Sequence, residues 1–348
     1  AYLLGYTNIY APILDVGRDQ RWGRYEEIYG ECPYLVGELG VAMAQGLQTN
    51  YQVAATAKHF VAYSNNKGAR EGMARVDPQM SPREVENIHV YPWKRVIQEA
   101  GLLGAMSAYN DYDGFPIQSS RYWLMDKLRG EMGFKGYVVS DSDAVEYLHS
   151  KHHTSPDMKE SVRQAVEAGL NVRCTFRSPD SYVLPLRELM ETIDDRVRDI
   201  LRVKFIVGLF DEPYQMNLEQ ADKEVNSLDN QEIALQASRE AIVLLKNKDQ
   251  LLPIDLQKVK TISVTGPNAD DAAYALTHYG PLAVDVTTVL DGIQAKAAGK
   301  AEVLYTKGCD IVDANWPDSE LIPSPLTSEE EAEIALAVAN AQKSDVAF

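Results

Sequence analysis

Four short segments concentrate the side chains able to do chemistry. Arg18-Asp19-Gln20-Arg21-Trp22-Gly23-Arg24 follows an apolar run that closes on Asp15-Val16; Lys58-His59 lies near the end of a second run, Tyr109-Asn110 at the end of a third and Asp141 at the end of a fourth. Together they give one set of strand ends several cations, an aromatic ring and a carboxylate. A carboxylate among Arg, Lys and His stays ionised, because opposite charges favour its charged form. An ionised, aimed carboxylate suits a nucleophile or a group that stabilises an oxocarbenium-like centre. Arg and Lys donors fanned around it suit a ligand with several hydroxyls. Each residue also has a plainer reading: a strand-end Asp caps a helix, a Lys snorkels, a His is satisfied in the core. Only the concurrence of the four segments points to a site.

The elements that must hold these residues are legible as apolar runs separated by amphipathic stretches. Residues 8–16, 54–62, 102–109, 136–141 and 169–174 are near-continuous apolar runs, the pattern of parallel strands covered on both faces. Between them, Ser81-Pro82-Arg83-Glu84 is a capping box, followed by Val85, Ile88, Trp93, Val96 and Ile97 at helical spacing and by Gly101 at the stop. Pro92 is expected to kink that helix. Ser155-Pro156-Asp157 opens the next helix, which Gly169 ends. Asp143 and Glu146 read as solvated acids at a helix start, and Trp22 as a packing residue. Such alternation predicts an α/β fold, either a (β/α)8 barrel or a doubly wound sheet, with ligands at the carboxyl ends of the strands.

Composition sets the outer bounds. The chain has 348 residues, room for about two domains. Its 34 Lys+Arg against 51 Asp+Glu give a net charge of −17, which argues against nucleic acid and against an anionic membrane surface. No apolar run is long enough for membrane insertion. Cys32, Cys174 and Cys309 are far apart and form neither a zinc pattern nor a disulfide framework. Residues 211–232 are polar and read as an irregular linker between a domain at 1–210 and another at 233–348. In the second, Ile233, Ala237, Ala241, Leu244 and Leu245 form a helical stripe, residues 259–266 a strand, and Thr327-Ser328-Glu329-Glu330 a capping box before an alanine-rich helix.

Six pieces in order make the chain resemble glycoside hydrolase family 3: Arg18 to Arg24, Lys58-His59-Phe60, residues 106–110, residues 136–141, Gly208-Leu209-Phe210-Asp211 and residues 237–247. The resemblance implies an α/β fold in which a (β/α)8-type barrel, with its first strands missing here, is followed by the start of an α/β sandwich domain. It implies a retaining exo-acting β-glycosidase for terminal β-D-glucosyl residues, with β-xylosidase and a non-catalytic carbohydrate-binding homologue as alternatives. By the same resemblance Asp141 is the nucleophile. Arg24, Lys58 and His59 bind sugar hydroxyls, Tyr109 lies beside the nucleophile, and Glu71 is a further ligand contact. The acid/base Glu is expected beyond Phe348. No metal or organic cofactor is implied. An oligosaccharide or glycoside is the expected partner, with room for a homodimer, and a periplasmic or secreted setting is favoured over a cytoplasmic one. After Lys58-His59-Phe60 the sequence reads Val61-Ala62-Tyr63-Ser64-Asn65-Asn66, without the Pro-Gly-His-Gly loop of the family's N-acetylglucosaminidases, which disfavours that branch. Finally, neighbours in a regular strand point to opposite faces, so Lys58 and His59 can serve one ligand only where the backbone is irregular.

Overall fold

The computed structural model describes residues 1–64, 77–187, 190–211, 216–273, 285–313, 315–316, 319, 322 and 324–348. The chain forms two compact units, Ala1–Ala234 and Leu235–Phe348, and the division falls inside the helix Leu228–Ala241. Among its described residues, the polar stretch expected to be irregular is instead mostly helical, with Leu218–Glu224 opened by Asn217, whose side chain accepts from the Gln220 N–H.

In the first unit, strands β1 (Asn8–Ile9), β2 (Ala54–Phe60), β3 (Gly104–Ser107) and β6 (Tyr137–Ser140) pair in parallel in the order β1-β2-β3-β6. That order advances in one direction and never reverses. This is the winding of a (β/α)8-type wall and not of a doubly wound sheet. The first run is paired regularly only at Asn8–Ile9 and then by a bridge from Ile13 to Lys58. Pro12, between them, has no N–H to give the ladder. The fifth run contributes a single bridge, Val139 to Val172. Alternate residues face opposite ways. Ala55, Ala57, Ala105 and Val138 pack into a cluster with Val36, Trp93 and Val96 from the helices Pro33–Leu47 and Tyr91–Ala100, whereas Ala54, Met106, Tyr137 and Val139 face Val203 of the helix Met190–Ile206. Both faces are therefore dry, as continuous apolar strands require.

Local signals set the boundaries. Ser81 accepts from the Glu84 N–H, Asp157 from the Glu160 N–H, and Gly101 and Gly169 end their helices at positive φ. Pro92 lies in the first turn of Tyr91–Ala100, and residues Val85–Val90 ahead of it are π-helical and run directly into that helix. The wide turn accommodates a residue that cannot donate a backbone hydrogen bond. Between β3 and β6, strands β4 (Asp111–Tyr112) and β5 (Phe115–Pro116) form a hairpin whose Asp113-Gly114 turn has positive φ at both residues.

The second unit is a parallel sheet in the order β8-β7-β9, with β7 Thr261–Thr265, β8 Glu302–Thr306 and β9 Val346–Ala347. Ile262 and Val264 pack against Leu290 and Ala297 of the helix Val289–Ala297. Thr327 and Glu330 form a reciprocal capping box on Ser328–Lys343, as their spacing predicts. The helical stripe expected to reach Leu245 stops at Ala241; Leu244 and Leu245 are 61% and 92% exposed. The β-branched pair Ile242-Val243 follows the last helical residue, and nothing buries this stretch against the described residues.

Candidate active site

The strands deliver their terminal polar residues to one place. At the end of β2, the register to β3 shifts between Ala57 and Phe60, and the Lys58–His59 and Phe60–Val61 peptides are cis. The irregular backbone expected at Lys58-His59-Phe60 is present. Both side chains reach the same cluster: Lys58 Nζ is 3.7 Å from Glu27 Oε2, and His59 Nε2 is 3.3 Å from Asp141 Oδ2.

Asp141 leaves the end of β6 and is 8% exposed. Its Oδ1 accepts the Ser142 N–H at 2.7 Å, while Oδ2 is buried without a hydrogen bond of regular geometry among the described residues. Tyr109 is beside it. The Tyr109 hydroxyl donates to the Ser142 carbonyl at 2.8 Å, and burial together with the Asp141 carboxylate raises its pKa. Trp22, Tyr63 and Tyr109 form a chain of edge-to-face rings with centroids 5.3 and 5.7 Å apart. Trp22 is 1% exposed and is a packing residue.

Arg24, also buried, lies 5.7 Å from the centroids of both Trp22 and Tyr63. Its Nε and Nη2 donate to the two carboxylate oxygens of Glu27 at 2.5 and 2.7 Å. This bidentate fork overcomes the burial of Glu27 and holds its pKa below the ordinary value. Lys58 shows the opposite balance. Burial, and then the nearby Arg24 charge, lower its pKa, with Glu27 and Asp141 opposing. On the far side of the imidazole, His59 Nδ1 is 2.7 Å from Asp15 Oδ2.

The structure thus brings together Arg24, Lys58, His59, Tyr109 and Asp141. Glu71 lies outside the described residues. Asp143 and Glu146 are not a solvated pair: Glu146 is buried, with Oε1 engaged by Arg173 and Thr175, and Asp143 accepts from Thr175 at 2.6 Å. The reason is Arg173, a cation carried to the same place by the fifth apolar run. Glu27 is the participant sequence reasoning passed over. Its signal was present, since an acid three residues after Arg24 in a helical turn is an ion-pair spacing. Asp15 was visible as a strand-end polar residue, but its contact with His59 spans 44 positions and has no local signature.

Fold and cluster together define the class, a (β/α)8-type barrel protein with a carboxylate-centred cluster at its strand ends. The chain belongs to glycosyl hydrolase family 3: residues 1–203 match the family's N terminal domain and residues 242–348 its C-terminal domain. It is 35% identical to a β-xylosidase of Formosa agariphila, over 89% of this chain and 46% of that protein. It is also 35% identical to a periplasmic β-glucosidase of Salmonella typhimurium, over 89% of this chain and 41% of that protein. A β-glucosidase structure from Erythrobacter marinus superposes with a TM-score of 0.85 at 30% identity, covering 99% of this chain and 48% of the other. The chain therefore spans less than half the length of these relatives. Among the described residues, no helix is long and apolar enough to cross a membrane.

Proposed function

We propose that the chain carries the nucleophile half of a retaining, exo-acting β-glycosidase that releases terminal β-D-glucosyl residues from oligosaccharides. The observation that supports this most is Asp141. One of its oxygens is fixed by a backbone N–H, and the other is buried, without a regular hydrogen bond and close to the imidazole of His59. In this reading Oδ2 attacks the anomeric carbon and the bond to the leaving oxygen breaks as that oxygen takes a proton from a second carboxyl group. Water then cleaves the resulting ester and returns the proton, with net retention. Lys58, His59 and Arg24, the last through Nη1, which is not engaged with Glu27, bind the sugar hydroxyls. Tyr109 flanks the nucleophile and Glu71 adds a hydroxyl contact. Glu27, Asp143 and Glu146 are each engaged by a cation or a hydroxyl; that the acid/base is a Glu beyond Phe348 is carried over from the family resemblance alone.

A β-xylosidase is the second reading, favoured by the name of the Formosa relative. The Salmonella relative's periplasmic designation supports a periplasmic or secreted setting. Asp141→Asn is expected to abolish turnover of aryl β-glycosides while leaving the fold intact. A 2-deoxy-2-fluoro glycoside is expected to esterify Asp141 and no other carboxylate, as read by peptide mass spectrometry. Near-normal turnover by the Asn variant rejects the assignment, and rates on aryl β-glucoside against aryl β-xyloside separate the two sugars.

A further inference from the structure

Asp15 is a buried carboxyl that the proposed reaction leaves without a task. Its side chain and that of His59 are each 1% exposed. Asp15 Oδ2 accepts the His59 backbone N–H at 3.2 Å and lies 2.7 Å from Nδ1; across the ring, Nε2 is 3.3 Å from Asp141 Oδ2. Asp15 and Asp141 thus neighbour the two nitrogens of one imidazole, by a short contact at Nδ1 and by distance alone at Nε2.

Proton bookkeeping across this imidazole has few solutions. A neutral imidazole carries one N–H. Where Asp15 is ionised, that hydrogen is drawn to Nδ1, and Nε2 turns a lone pair onto the Asp141 carboxylate. Where the Asp15–His59 pair holds one more proton, on either partner, Nε2 carries an N–H toward Asp141. The charges facing the pair are the cations Arg24 and Lys58 and the anions Glu27 and Asp141, with His89 behind Asp15 and Arg18 beyond it. Burial, opposed by Arg24, pushes Asp15 up to about 7; burial and Arg24 together hold His59 well below its ordinary 6.5. Burial lowers His89 to about 4, so it adds no charge near neutrality.

We propose that Asp15 is a positioning residue: with His59 it stores one shared proton that keeps an N–H, and not a lone pair, on the Nε2 that neighbours Asp141, fixing the orientation of that carboxylate. This rests on the reading of Asp141 as the nucleophile. Exchanging that N–H for a lone pair would set two acceptors 3.3 Å apart in a buried site, which corresponds to a rate loss of about ten- to a hundredfold.

The test uses the protein that carries this chain and follows the rate of Asp141 labelling against pH. The probe is a 2,4-dinitrophenyl 2-deoxy-2-fluoro-β-glycoside of whichever sugar series is turned over faster. Its leaving group needs little acid assistance, so the acid/base drops out of the labelling step. The wild type is expected to lose labelling rate above about pH 7, where the pair gives up its proton. In Asp15→Asn, the His59 backbone N–H selects the amide oxygen for the place of Oδ2. That oxygen accepts from Nδ1–H and leaves Nε2 bare. Labelling near neutrality is expected to fall about ten- to a hundredfold, with the alkaline limb moved to lower pH, because His59 itself must then be protonated. A wild-type labelling rate with no alkaline limb overturns the proposal and needs no variant to fold. So does a folded Asn variant with the wild-type rate and limb. Both results leave Asp141 labelled, so the nucleophile reading survives them; label on another carboxylate in the wild type removes both.

Discussion

Replacing Glu27 with Gln isolates one interaction on which the cluster depends. Glu27 neutralises Arg24 through a bidentate fork, with side chains only 9% and 3% exposed, and it also faces Lys58 at 3.7 Å. In Glu27→Gln the shape is kept, but the charge is lost and an amide NH2 confronts a guanidinium that can only donate. Breaking a buried pair from one side costs about 3–5 kcal/mol. For a unit the size of Ala1–Ala234, each kcal/mol corresponds to about 2–4 °C, so a fall in Tm of about 6–20 °C is expected by calorimetry. The double variant Arg24→Met/Glu27→Leu is expected to be less destabilised than the sum of its singles, because it leaves no orphaned charge. The pH dependence has a fixed sign. Glu27 titrates below its ordinary 4.5 in the folded state, so its contribution is complete above that value and is lost as pH falls through the folded pKa. The Tm gap between wild type and variant should close correspondingly in acid. Lys58, already lowered, loses the anion that holds it up; the alkaline rise in KM should therefore begin at lower pH. A Tm drop under 2 °C, or single-variant losses that simply add in the double, refutes the reasoning.

Gly136→Ala would place a Cβ 2.0 Å from the Leu103 carbonyl oxygen, in the backbone that receives the Tyr137 N–H. A loss of about 1–3 kcal/mol is expected in urea unfolding, and an unchanged midpoint would show that β3 and β6 separate freely. Thr327→Ala removes one arm of a reciprocal box in which Thr327 accepts the Glu330 N–H at 3.2 Å and Glu330 accepts the Thr327 N–H at 2.8 Å. It should cost about 0.5–2 kcal/mol, seen as faster hydrogen exchange confined to the first turn of Ser328–Lys343.

What could be read from residue order alone follows the range of the interaction behind it. Capping at Ser81, Asp157 and Thr327 depends on atoms three residues apart, and all three caps are found where the sequence places them. The parallel strands were legible because burial on both faces leaves an uninterrupted apolar run, and their ends marked Lys58, His59, Tyr109 and Asp141. The polar stretch read as a linker proved mostly helical because polarity reports exposure and not backbone conformation; the described residues of that stretch include an Asn-capped helix. Tertiary structure alone decided how the charges pair. The bridge from Ile13 to Lys58 fixes the register that carries Asp15 to His59, and the fifth run carries Arg173 to Glu146, burying an acid that looked solvated. An Asp or Glu has the same local signature in water as in the interior. Its depth, its counter-charge and the side of an imidazole it faces are set by strand register, which is a property of the assembled sheet and not of any short segment.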